Sequence, residues 1–174
     1  FNIRNGVNLR DKPLERSVNS GKENIKIGFS GDFAYKPNLL AAHFIINEII
    51  PELKTNHKDY TIILIGRNPD QHMLVNSKID PVNLIVTGEV ADPLDEISKL
   101  DIYFSPLFVG TGMKNKILNA MSVGVPIICS TISSDGITEL QNGLNYISCD
   151  SCNAKDWIQK ISHLVESDNT KEDF

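Results

Sequence analysis

The feature that most constrains this chain is the alternation that begins at Ile25, where short apolar runs rich in β-branched residues take turns with longer segments of helical period. That alternation implies βαβ units and a parallel sheet. Strands are expected at residues 25–30, 60–65, 83–87, 102–105, 126–129 and 145–148. Their nearly continuous Ile, Leu and Val fits strands covered on both faces. Helices are expected at 37–53, 69–75, 93–100, 113–123 and 154–165. The first opens at Pro37, and Leu39, Ala42, Ile46, Ile49 and Leu53 trace one face of it toward the sheet. In the last, Trp157, Ile161, Leu164 and Val165 share a face. The fold class is α/β, a doubly wound parallel sheet.

The 174 residues suit one well-buried core, and no internal repeat is present. The chain opens at Phe1 without an initiator Met, and a polar stretch without apolar period runs through residues 8–24, so the numbering is expected to begin inside a longer protein. The expected organisation is a junction at 1–24, a folded unit at 25–166 and a polar tail at 167–174. With 41% hydrophobic and 22% charged residues, neither disorder nor a fibrous repeat is indicated. The net charge of -5 and the scattered Lys and Arg leave no basic stripe for a nucleic-acid backbone. No apolar run approaches the roughly 20 residues of a bilayer span, and no secretory leader opens the chain. Three cysteines, an odd count, point to a reducing compartment rather than a disulfide framework. Cys149 and Cys152 have C-x-x-C spacing, but no second pair follows, so chance is the reading preferred over a metal or redox site.

Apolar stripes are core, so function is sought at the loops beyond the carboxyl ends of the strands, where helix N-termini and turn backbones face solvent together. After the strand at 102–105 the chain reads Pro106, Leu107, Phe108, Val109, Gly110, Thr111, Gly112, Met113, Lys114, Asn115, Lys116. A strand thus runs into a glycine pair and then a helix, which brings backbone N–H groups and a partial positive charge to one place. Lys114 and Lys116 add charge beside it, from which a diphosphate would gain; the alternatives are solvated surface lysines and a tight turn that uses glycine for its own geometry. Neither G-x-G-x-x-G nor G-x-x-x-x-G-K-[ST] occurs. A second strand-to-helix loop spans 31–38, from Gly31 to Asn38, with Lys36 at the helix end where the macrodipole disfavours a cation. An anion shared by lysine and helix would account for that placement; the alternative, preferred were this loop alone, is a lysine reaching into water. The four histidines, His43, His57, His72 and His163, fall at scattered spacing, and no Asp or His cluster suggests a metal.

Read together, these segments resemble the C-terminal domain of retaining GT-B glycosyltransferases, the group 1 or family 4 type. Asn5, Gly6 and Val7 are similar to that family's domain junction, and 31–38 to the loop that opens its C-terminal domain. Residues 65–69, 86–90 and 104–107 follow in the family's order. The most specific likeness is 110–128, which resembles the donor loop, its helix and the G-x-P that leads into the next strand. Many relatives carry two glutamates eight positions apart where this chain has Thr111 and Asn119, though a branch with the G-x-G-x-x-x-K pattern also lacks the first, and many place an arginine near Gly31 that this chain lacks.

The resemblance implies a Rossmann-like domain, the C-terminal half of a GT-B fold, that binds a nucleotide-sugar donor for a hexosyltransferase of polysaccharide or glycolipid synthesis. Gly31, Lys36, Gly110, Thr111, Gly112, Met113 and Lys116 would hold the diphosphate, and Asn119 and Val90 the ribose and base. Glu139 is the candidate sugar contact, with helix capping as its alternative. No cofactor or metal is expected. The implied partner is an N-terminal acceptor-binding domain, which would carry any catalytic histidine. The implied setting is the cytoplasm, with peripheral attachment at the inner membrane face. Two rivals stand: a non-catalytic nucleotide-binding or scaffolding domain of the same fold, and a sugar-nucleotide epimerase, against which the missing dinucleotide fingerprint counts.

Overall fold

In the computed structural model, which describes residues 24–56, 59–110 and 115–169, the β-branched runs form six strands. They are β1 Ile25–Ser30, β2 Tyr60–Ile65, β3 Leu84–Gly88, β4 Ile102–Ser105, β5 Ile127–Cys129 and β6 Ile147–Ser148. All pair in parallel in the order β3-β2-β1-β4-β5-β6. Because β1 lies beside both β2 and β4, the chain reverses its direction of travel across the sheet there, and the gap between β1 and β4 is the topological switch point.

Alternate side chains of each strand serve two separate cores. On one face Ile27, Phe29, Ile62, Leu64, Ile102, Phe104 and Ile128 pack beneath Ile45, Ile49, Leu53, Trp157 and Ile161. On the other, Ile65, Tyr103, Ile127 and Cys129 meet Ile97, Leu100, Ile117, Ala120 and Val123. Burying one such side chain contributes roughly 1.5–3 kcal/mol, so two filled faces hold the strand ends in fixed relation. Gly28 sits under Leu100, whose side chain occupies the space a Cβ would take.

The single helix expected at 37–53 is three segments: α1 Lys36–Phe44, a π-helical turn Ile45–Ile49 and α2 Ile50–Asn56. Pro51 explains the break. It has no N–H to donate back along the helix, and its ring clashes with the carbonyl four residues earlier, so the preceding turn widens and the Ile50 N–H bonds to Ile45 O instead. The apolar stripe survives, with Ile45, Ile46, Ile49, Ile50 and Leu53 all buried.

Helix α3 is Gln71–Ile79, later than the expected 69–75, because the Asp70 carboxylate caps it by accepting from Met73 N at 2.9 Å. Helix α4 is Pro93–Ser98 and α5 Asn115–Ser122. A short α6, Thr131–Ser134, is absent from the sequence reading and is capped by Ser130, whose hydroxyl accepts from Ser133 N. Helix α7, Ala154–Asn169, continues three residues past the boundary expected for the polar tail.

Candidate ligand-binding cleft

A cleft of about 290 Å³ opens beyond the carboxyl ends of β1, β2 and β3 and is closed on the other side by α5. Ser30, Gly31, Asp32, Gly66, Arg67, Glu89, Val90, Lys116 and Asn119 all line it. Its floor at the switch point is fixed by a buried hydroxyl pair, Ser30 Oγ to Tyr103 Oη at 2.7 Å. Burial pushes the Tyr103 phenol well above its ordinary pKa, so it stays neutral.

The wall made by the β1 and β2 loops rests on two glycines. Gly66 has φ +140°, and a Cβ there would lie 1.9 Å from Gly31 O. Only a residue without a side chain permits that approach. A Cβ on Gly31 would in turn lie 2.6 Å from the amide nitrogen of Asn38. Asn38, 6% exposed, uses this room to donate from Nδ2 to Asp32 O at 2.9 Å. The pairing of β2 with β3 shifts register between Leu64 and Ile65, a bulge-type irregularity immediately before Gly66.

Asp32 ties the two loops together. Its carboxylate accepts from Ala34 N at 3.0 Å, from Asn68 Nδ2 at 2.9 Å and from Arg67 Nε at 2.9 Å. The Asn68 hydrogen bond first, then Ala34 N and then Arg67 hold its pKa below the ordinary aspartate value of 3.8. Asn68 takes the left-handed conformation, φ 57°, that this turn requires and that asparagine tolerates.

The opposite wall is α5. Ile117, Ala120 and Val123 point into the core. Lys116 and Asn119, three residues apart, therefore share the other face and line the cleft. Lys116 Nζ donates to Asn38 Oδ1 and stands 4.5 Å from the centroid of the Phe29 ring. The ammonium is thus held at the cleft by an amide and an aromatic face. The loop that leaves β4 is anchored by buried serines: Ser130 Oγ donates to Leu107 O at 2.6 Å and Ser133 Oγ to Ser105 O at 2.9 Å.

Of the residues singled out in the sequence, the structure brings Gly31, Val90, Lys116 and Asn119 together at this cleft. Gly110 has φ 131°, backbone that suits glycine alone, at the start of the loop. Thr111, Gly112, Met113 and Lys114 lie outside the described residues. Lys36 is exposed at the first position of α1 and does not line the cleft. Nor does Glu139, which is exposed in the turn after α6 and whose carbonyl accepts from Asn145 Nδ2 at 2.8 Å.

His43 pairs with Asp70 at 2.8 Å and His72 with Asn47 at 2.9 Å, both on the outer helices. Cys149 is buried and Cys152 exposed, and burial raises the Cys149 thiol pKa, the opposite of what a reactive thiolate needs. Among the described residues no group of three or more His, Cys, Asp or Glu is placed to hold a metal. Among them, too, no helix is long and apolar enough to cross a membrane.

Sequence reading passed over Asp32, Arg67 and Glu89. The available signal was position, since each sits immediately beyond an expected strand. What was not available was their convergence, because Arg67 and Asp32 are 35 residues apart.

The model of the glycosyl transferases group 1 family matches residues 24–167. The chain belongs to that family. Its α/β sheet is that of GT-B glycosyltransferases. TarM of S. aureus, solved with Fondaparinux, alpha-GlcNAc-glycerol and UDP, superposes with a TM-score of 0.74 at 14% identity over 97% of this chain and 33% of its own. Anabaena Alr3699/HepE with UDP and glucose gives 0.64 at 16% over 83% of this chain and 39% of its own. The C-terminal domain of the group 1 protein LpcC from Francisella tularensis gives 0.58 at 15%, covering 88% of this chain and 84% of that domain. This member of the family spans 38% of the glycosyltransferase from Rickettsia africae, to which it is also similar. Among curated proteins none matches the sequence.

Proposed function

We propose that this chain is the donor-binding half of a retaining glycosyltransferase that moves a hexose from a nucleotide diphosphate sugar to an acceptor hydroxyl. The observation that carries the reading is the convergence of Gly31, Val90, Lys116 and Asn119 on one cleft at the β1–β4 switch point. Parallel sheets of this order bind nucleotides at that place.

In the transfer, the bond from the anomeric carbon to the diphosphate oxygen breaks and negative charge grows on the leaving group. A positioned ammonium and the N-terminal end of α5 meet that charge without having to reorganise, and this is the term that most lowers such a barrier. Lys116, held by Asn38 and Phe29, supplies the ammonium. In this reading the backbone of Gly110, Thr111, Gly112 and Met113 donates to the diphosphate, and Lys36 adds a second ammonium. Val90 borders the base and Asn119 offers its amide to the ribose. Glu139 is the sugar contact of this reading. HepE and TarM were solved with UDP, which makes a uridine nucleotide the first donor class to test.

The partner in this reading is an acceptor-binding domain whose wall faces the cleft, and the work is surface polysaccharide or glycolipid synthesis at the cytoplasmic side of a membrane. An NMR titration of the chain with UDP, GDP and ADP tests the donor site. The expected result is shifts at Gly31, Val90, Lys116 and Asn119 with one of the three. Shifts confined to the amino-terminal ends of β5 and β6 would overturn the assignment.

A further inference from the structure

We propose that Arg67 is a phosphate-binding residue of the cleft, its guanidinium aimed by Asp32 at the diphosphate that Lys116 meets from the opposite wall. The inference deepens the donor-site reading and rests on it.

Arg67 lines the cleft, as Lys116 does, from a different element. Its backbone is fixed first. Phe33 N donates to Arg67 O at 3.1 Å, and Gly31 N to Ile65 O at 2.9 Å, so the β2 loop is stitched onto the β1 loop on either side of Gly66. The side chain is fixed next. Nε donates to Asp32 Oδ2 at 2.9 Å, while the other carboxylate oxygen takes Ala34 N and Asn68 Nδ2. A guanidinium held through Nε keeps its two terminal nitrogens as a planar fork, the geometry that matches two phosphate oxygens.

The same pair contributes little as a structural clip. The Arg67 side chain is 60% exposed, and an ion pair so wet contributes little to stability. What the arrangement does accomplish is to restrict where a long, flexible side chain points. Across the cleft Lys116 is likewise restrained, by Asn38 and by Phe29. Two restrained cations from two elements, with glycine backbone between them, form a clamp for an anion carrying more than one phosphate. Glu89 on the third loop places a carboxylate at the same cleft, so the cations and anions around it are balanced until a phosphate enters.

The test is calorimetry on the full chain with UDP, UMP and uridine, in wild type, Arg67→Ala, Arg67→Gln, Lys116→Ala and Lys155→Ala, with folding checked by circular dichroism. Arg67→Gln keeps an N–H able to reach Asp32 and removes the charge, so a role limited to stitching the loops survives it, whereas a phosphate contact does not. The expected result is a loss of UDP affinity of tenfold or more in both Arg67 variants, a smaller loss for UMP and none for uridine. The dependence of UDP binding on salt should also flatten. Lys155→Ala, which removes an exposed charge on α7, should bind as wild type does.

If Arg67→Gln binds UDP like wild type while Lys116→Ala does not, the role of Arg67 is overturned and the donor cleft stands. If folded wild type binds neither UDP in the calorimeter nor GDP or ADP in the NMR titration, both fall.

Discussion

Among the described residues, one concave region stands at each end of the sheet, and the larger is the less suited to a nucleotide diphosphate. The groove at the amino-terminal ends of β5 and β6 encloses about 720 Å³ among Met121, Gly124, Pro126, Leu144, Tyr146 and Lys160. The cleft beyond β1 and β2 encloses about 290 Å³. In a parallel sheet every strand runs the same way, so one end collects helix N-termini with unpaired N–H donors and the other collects helix C-termini with unpaired carbonyls. The larger groove lies at the carbonyl end. Lys116 and Arg67 stand at the donor end, each held by a partner. Polarity of the fold, rather than volume, separates the two.

The strongest challenge to this contrast is Gly66→Ala. The added Cβ must displace Gly31 O from 1.9 Å at a φ of +140°. Overpacking and backbone strain together should cost roughly 3 kcal/mol or more, seen as a large drop in thermal midpoint together with loss of nucleotide binding. A midpoint within a degree or two of wild type would mean that the two loops are not locked.

Lys116→Ala tests the chemistry of the cleft. Loss of a charge-assisted hydrogen bond to phosphate should weaken diphosphate binding by about 1.5–3 kcal/mol, read by calorimetry. Equal loss for the nucleoside alone would point to collapse of the wall rather than to a phosphate contact.

Asn119→Glu sharpens the picture on the ribose side. A carboxylate there should tighten binding by up to roughly 1–2 kcal/mol by making a neutral hydrogen bond a charge-assisted one. Weaker binding would show that the cleft, which already carries Asp32 and Glu89, does not tolerate a third acid.

The smallest effect belongs to the groove. Leu144 is 75% exposed, so Leu144→Lys should change stability by no more than about 0.5 kcal/mol and leave nucleotide binding unchanged. A change in nucleotide affinity would break the division between the two ends.

A pH series bears on the same loops. Because the native pKa of Asp32 is depressed below 3.8, its tie to Arg67 and Asn68 is fully present above that value and is lost as pH falls through the lower native one. The NMR shifts of the β1–β2 wall should therefore change with a midpoint below 3.8 as pH falls, and a midpoint at or above that value would break the tie.

Strands β1 and β2 lie at the residues expected from their β-branched runs, because a two-face-buried strand announces itself in its own composition. The same holds for α7, whose stripe through Trp157 and Ile161 is complete within four turns. Where a local signal conflicted with the stripe, the reading failed. Pro51 sits inside an unbroken apolar period, and the period concealed the π turn that the proline imposes. Asp70 was a visible cap for α3, yet Pro69 drew the expected start two residues early.

Of the cleft, the sequence by itself determined the parts that a loop can declare: glycines after a strand, a lysine in the first turn of the next helix, and the order of segments that marks the family. It did not declare which loops meet. Lys116 reaches Asn38 across 78 positions, and Arg67 reaches Asp32 across 35. Those meetings follow from β1 lying between β2 and β4, a strand order that periodicities of two and of three to four residues do not encode. The physical reason is one of range. Strand and helix patterns report the faces a segment must bury, whereas the neighbours that bury them are chosen by packing two cores at once, and only that choice set Arg67 beside Gly31.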